Sequence, residues 1–440
     1  MQVTAKQRMR AAVVGVAALA LVLTGCAGAS GSISYAGPAQ VDGALPQETQ
    51  AQLNDAVTHA MAASGASGAI VGVWAPWSGS WVTGLGTQTV DGTTAVDAEM
   101  SFRVGDVTRL MTCDVLYALA DRDILELDDP VTKYVSGVAD LSSVTLVHLC
   151  NGTGGLGSSA AVVGPSMLNT PNRAWNPKEL ASFGLERSRL APGLQYQDSD
   201  AGYLLLGLAM ERASGKKMEE LIDEYVAEPL DLDSTKLPGS APGTPGDAPL
   251  NGHFLLPAEE GGMNCAAPVD ITTSSASAGF SNAGAVSTIT DLGRYAQAEA
   301  VQALRIREKP QRYAEAMPAY ADAPSWLQAT GGGFMVGSMI GQHGWAPGYL
   351  TAAYSDPTTG FTVAVVLNNS AAGKDLIAAL AWELAAIASK APAAAGQTAP
   401  EFGLPFTAEQ YREQVTALAV CPIAPPADET APVEGEEEEG

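Results

Sequence analysis

Positive charge is scarce in this 440-residue sequence: 23 Lys and Arg face 48 Asp and Glu, a formal net charge of −25. Such a balance repels phosphate backbones and anionic headgroups, which excludes a nucleic-acid partner and any membrane link through basic patches. Cysteine is scarce too. There are five, with no Cys-x-x-Cys spacing to argue for zinc. No uninterrupted apolar run reaches the roughly 20 residues of a spanning helix, and no internal repeat is visible.

What is there begins with Lys6, Arg8 and Arg10, followed by the apolar run "AAVVGVAALALVLTG" that ends at Cys26. A basic stretch and a short apolar core of this kind predict a signal peptide over 1–25. "LTGC" (Leu23 to Cys26) fits a lipobox, so Cys26 is expected to be the diacylated mature N-terminus. The chain would then sit outside the cytoplasm, held to the membrane by its N-terminal lipid. A plain secreted protein or an uncleaved anchor is the alternative. Loss of the three basic residues would take the formal charge to −28. Residues 26–50 are small and polar, as in a flexible tether. At the other end, an extension over 391–440 closes on "DETAPVEGEEEEG", a solvated acidic tail. The remaining cysteines, Cys113, Cys150, Cys265 and Cys421, permit two disulfides in three connectivities.

Between these ends, "LNDAVTHAMAA" has helical spacing, and "AIVGVWAP" and "SWVTGLGTQ" alternate as two strands of a hairpin. Helical patterns dominate from Asp106 to about 275, including "DAGYLLLGLAMERASG" and "KMEELIDEYVAEPL", and residues 238–275 read as a long Pro- and Gly-rich loop. "GAVSTITDLGRYAQAEAVQAL" returns to helix. "GGGFMVG", "LTAAYSD" and "FTVAVVLNN" follow as strands, and "KDLIAALAWELAAIASK" as a closing apolar helix. This order predicts an α/β (α+β) fold over 51–390. An antiparallel sheet flanked by helices (about 51–105 and 276–390) would carry an inserted all-helical half (about 106–275).

The strings "SFRVGDVTR", "LELDDPVTKYV", "VTLVHLCNGTGGL", "APGLQYQDSDAGYLLLGLAMERASGKK", "AEPLDLDST", "AGAVSTITDLGRYA", "GQHGWAPGY" and "SDPTTGFTVAVVLNN" stand in one order over about 53–385. In that order the chain resembles the serine β-lactamases and DD-peptidases, especially the class C β-lactamase-related branch. The resemblance implies a serine acyl-transfer site at the junction of the two halves, built from Ser-x-x-Lys, Tyr-x-Asn and Lys-Thr-Gly or His-x-Gly. It also implies a bridge between Cys113 and Cys150, because class A relatives join these two helices at similar places. Cys265 and Cys421 are then left to pair and pin the C-terminal extension.

Each of the three motifs is substituted here. The Ser slot holds Asp106 and the Lys slot Arg109, and an arginine with a pKa above roughly 12 cannot act as a base near neutral pH. The pair reads as structural, with Asp106 as a helix N-cap and Arg109 within reach at i+3. Counting between Pro192-Gly193 and Gly202-Tyr203 puts Asp198 in the Tyr slot, followed by Ser199 and Asp200. Counting back from Pro347-Gly348 puts Gln342 in the third slot, or His343 if the count slips by one. Ser214-Gly215-Lys216-Lys217 matches Ser-x-x-Lys only by accident, because Gly215 ends a helix there.

A cell-envelope lipoprotein with a binding or scaffolding role and no catalysis is the function these substitutions imply. No cofactor is called for. Asp106, Arg109, Asp198, Asp200, Gln342 and His343 would line the old pocket, and its acids would suit a cationic or peptide-like ligand or an envelope protein. The alternative is a weak esterase or peptidase acting on cell-wall peptides or esters through a displaced nucleophile such as Ser199. A third reading is a calcium or magnesium site made by Asp106, Asp198 and Asp200.

Overall fold

The alternation in "GAIVGVWA" sends Ala69, Val71 and Val73 to one side and Ile70 to the other, and both sides are buried. In the computed structural model this run is strand β1 (Gly68–Ala75), which turns back through Pro76–Ser78 into β2 (Gly79–Gly86). Residues 35–138, 140–187, 189–401 and 403–423 are described. The expected signal peptide (1–25), Cys26, the first part of the tether and the acidic tail from 424 lie outside them.

Six later strands complete the sheet: β3 (Met317–Pro318), β4 (Leu327–Thr330), β5 (Gly333–Val336), β6 (Met339–Ala346), β7 (Tyr349–Ser355) and β8 (Thr362–Leu367). Their order is β2-β1-β8-β7-β6-β5-β4-β3, antiparallel throughout. β8 reads as a near-continuous apolar run because helices cover both faces of the sheet. Helix α1 (Gln47–Ser64) packs on the face that carries Val71 and Val365. β5 pairs with β6 only over Met339–Gly341, so Gln342–Ala346 have β7 on one side and an open edge on the other.

The helical half fills the space beside that edge. It holds α2 (Thr108–Asp121), α3 (Leu146–Cys150), α4 (Ala160–Asn169), α5 (Pro177–Leu185), α6 (Asp200–Ser214), α7 (Met218–Ile222) and α8 (Phe280–Ala283). α8 packs on α2 and α6, so this half runs to about residue 284. α9 (Ile289–Ala300) places Ile289, Leu292 and Tyr295 in the same core as Ile70 and Val366, bridging the helical half and the sheet. α10 (Lys374–Ala388) lies beside α1 on the opposite face.

Several elements differ from the sequence-based expectation. Residues 238–275 contain short strand pairs, Pro242–Gly243 with Ser274–Ser275 and His253–Phe254 with Val269–Asp270. The C-terminal extension carries a further helix, α11 (Ala408–Ala417), seated on α10 and α1. Both expected bridges are present. Cys113–Cys150 joins α2 to α3, and Cys265–Cys421 ties the 238–275 segment to the end of the described chain. Among the described residues no helix is long and apolar enough to cross a membrane.

Candidate functional site

The turn Gly105–Val107 winds into α2 and lies against the open edge of β6. A Cβ on Gly344 would stand 2.3 Å from the Cβ of Asp106, and one on Gly105, whose φ is +56°, would stand 3.0 Å from the Trp345 backbone. Only glycine at both places lets the turn close on the strand. Asp106 was expected to cap α2, and it does not. Val107 is the residue before the helix and no side chain caps it, because the preceding turn already supplies a carbonyl, that of Gly105, to the Thr108 amide.

Arg109, one turn into α2 and almost fully buried, is the hub of the site. Its Nε donates to Asn282 Oδ1 at 2.9 Å, its Nη1 to Asp198 Oδ1 at 2.6 Å, and its Nη2 lies 3.5 Å from Asp106 Oδ2. The guanidinium also sits 4.8 Å from the centre of the Tyr203 ring, whose hydroxyl donates to the Cys150 carbonyl. Asn282 on α8 donates its amide to Asp106 Oδ1 at 3.5 Å. Lys374, the first residue of α10, binds the other oxygen of Asp198.

Burial sets the protonation of these groups, and the cations correct it unevenly. Burial pushes the Asp106 carboxyl up to about 6, against the pull of Arg109 and Lys374. At Asp198 burial also pushes upward, but Arg109 and Lys374 overcome it and hold the carboxyl below the usual range. Arg109 loses from burial and gains more from Asp106 and Asp198, so its proton is held well above the ordinary guanidinium value.

The remaining candidates are occupied or point elsewhere. Ser199 Oγ donates to the Gly157 carbonyl at 2.8 Å and accepts from the Gly202 amide at 3.2 Å, as the N-cap of α6. Asp200 accepts from both the amide and the hydroxyl of Ser159. Gln342 is 2% exposed; it donates to the Gly332 carbonyl and accepts from the His343 amide. His343 stacks on Phe334, shares a 2.6 Å hydrogen bond with Tyr354, and is pushed down to about 3 by burial.

Asp106, Arg109, Asp198 and Asp200 therefore line one cavity of about 310 Å³, together with Asn282, Trp345 and Lys374. Gln342 is absent from its lining, and His343 lines a neighbouring pocket instead. Among the described residues no group of three His, Cys, Asp or Glu is arranged to hold a metal ion, which removes support from a calcium or magnesium site at the three aspartates. Their carboxylates are taken by Arg109, Lys374 and Ser159.

The sequence profile of the family described as Beta-lactamase matches residues 53–387. The chain belongs to that family. The D-alanyl-D-alanine-carboxypeptidase/endopeptidase AmpH of Escherichia coli K12 is 27% identical over 241 residues, half of this chain and 58% of that relative. The match thus spans little more than half the length of this curated relative. A D-stereospecific amidohydrolase from Streptomyces sp. superposes with a TM-score of 0.61 at 21% identity, over 73% of this chain and 94% of its own. A penicillin-binding protein homologue from Pyrococcus abyssi gives 0.62 at 19%, over 77% and 76%. These likenesses in structure establish the fold.

Two residues of the site escaped sequence reasoning. Asn282 has no local signature, because only the packing of α8 on α2 brings it to Arg109. Lys374 did carry a signal. A lysine in the first turn of a helix opposes the macrodipole, which suggests that an acid elsewhere holds it.

Proposed function

We propose that this protein is a binding member of the Beta-lactamase family in which the serine acyl-transfer machinery has been replaced by a fixed ion-pair cluster. One observation carries this reading. Arg109 binds Asp198 and Asn282 and stands beside Asp106 where the family chemistry needs a nucleophile, a base and a phenol. A guanidinium held protonated cannot accept a proton, and Asp106 offers no hydroxyl to acylate. The displaced-nucleophile alternative loses support, since Ser199 is 6% exposed and donates to a backbone carbonyl rather than to a base.

The cavity still has apolar walls from Met167, Leu204 and Trp345, and AmpH is named for peptide substrates, so a peptide-like ligand fits the reading. A cation is less favoured than the acid count alone implied, because Arg109 and Lys374 already neutralise Asp198. The cell-envelope location rests on the lipobox at Cys26, and radiolabelled palmitate incorporation that vanishes in Cys26→Ser tests it. For the active site, the purified protein should form no covalent adduct with a fluorescent penicillin or a fluorophosphonate. Labelling that is lost in Ser199→Ala and kept in Asp106→Ala would overturn the reading.

A further inference from the structure

Aromatic residues make up only 6% of the sequence, yet Tyr196, Tyr320, Trp326, Phe334, Trp382 and Tyr411 line a single pocket. Its volume of about 490 Å³ falls within the range of small-molecule sites. It opens between β4, β5, α10 and α11 and meets the Asp106 cavity at the Asp198–Lys374 ion pair, which borders both. α11 closes one wall, and that helix lies beyond the residues matched by the family.

The rings hold one another in place. Tyr196 meets Phe334 edge-on at 5.8 Å, Phe334 stacks on His343 at 4.8 Å, Trp326 meets Trp382 at 6.2 Å, and Trp382 meets Tyr411 at 5.1 Å. A ligand would thus find its platform already formed, with little ordering left to do. Tyr320, 57% exposed, stands at the mouth.

Charge and polarity narrow the ligand. Both oxygens of Asp198 are taken by Arg109 and Lys374, so the interior offers no free anion to a cation. Asp375 is exposed. Facing the rings, Gln410 and Gln414 stand one turn apart on α11, and their side-chain amides make no hydrogen bond to other described residues. Aromatic faces on one side with amides and phenols on the other match a molecule with flat C–H faces and peripheral hydroxyls.

We propose that this second pocket is a binding site for a neutral saccharide, stacked on Trp326 and its neighbours and hydrogen-bonded by Gln410 and Gln414. The proposal does not rest on the loss of serine chemistry in the adjacent cavity. Isothermal titration and tryptophan emission of the purified protein test it, with cellobiose and N,N′-diacetylchitobiose as probes and choline as the cationic arm. The expected result is saturable binding of a disaccharide with a shift in emission, weakened about tenfold or more by Trp326→Ala and by Gln410→Ala with Gln414→Ala. The glutamine pair is exposed, so its replacement leaves the core intact. Silence of both disaccharides up to about 10 mM, unchanged affinity in the glutamine variant, or saturation by choline alone would overturn the proposal.

Discussion

Arg109 carries more of the site than any other residue, and its removal should show it. Arg109→Met leaves the buried Asp106 without its cation and the partly exposed Asp198 with Lys374 alone. Breaking a fully buried ion pair typically costs about 3–5 kcal/mol, and the solvent exposure of Asp198 brings the cost here to the low end of that range or below. The variant should melt well below the parent in calorimetry. Asp106 predicts the opposite sign. Its folded pKa of about 6 lies above the usual carboxylate value, so the stability it contributes is complete below about pH 4 and is lost as pH rises through 6. Asp106→Asn should therefore match the parent near pH 4 and exceed it at pH 8, by at most about 3 kcal/mol in denaturant titrations. Asp106, Arg109 and Asp198 were legible because the chain fixes their distance from Gly202-Tyr203 and from the Phe102-Arg103 strand end. Asn282 was not, since it reaches the site only through the packing of α8, and Lys374 showed only its unfavourable place in the first turn of α10, not the acid that holds it there.

Strand β6 serves two faces: Gly344 meets Asp106 on one, and His343 meets Tyr354 on the other. Gly344→Ala should push the Gly105–Val107 turn off the strand at a cost of about 1–3 kcal/mol, read as a lowered denaturation midpoint. The interface of α1, α10 and α11 supplies a second titrating group. Glu383 on α10 is pushed up to about 7 by burial, with Arg412 at 3.5 Å and the acids Asp55 and Glu409 also acting on it. Because that value is raised, its contribution is full below about pH 4 and fades as pH rises through 7. Glu383→Gln should accordingly gain on the parent between pH 5 and 8, by between about 1 and 3 kcal/mol in matched melts. α1, α6, α9 and α10 were legible from their helical spacing. β6 does not show in the spacing of the sequence because Gly341 and Gly344 break its alternation. α11 was missed because it buries only Tyr411 and Val415 on an otherwise polar helix.

For the molecule as a whole, the discontinuous sheet could be read from the order of its segments, strands first and last with helices between. That Cys265 and Cys421 pin the C-terminal extension followed from the resemblance, but how α11 docks could not be read, because Arg412 and Tyr411 find their partners only after the sheet and α10 have formed. Opening that tie with Cys265→Ser and Cys421→Ser should lower the melting temperature, by an amount equivalent to about 2–4 kcal/mol, and quicken proteolysis between 391 and 407. The pairing of β1 with β8 has a different kind of consequence, one of timing. Synthesis delivers Ala69 long before Leu367, its partner across the sheet. Until the last strand arrives, the β1–β2 hairpin presents an open, apolar edge of the sort that sticks to other chains. A chain arrested before Leu367 has the helical half in hand and no way to close the sheet, so C-terminally truncated forms should accumulate as aggregates rather than as smaller folded domains.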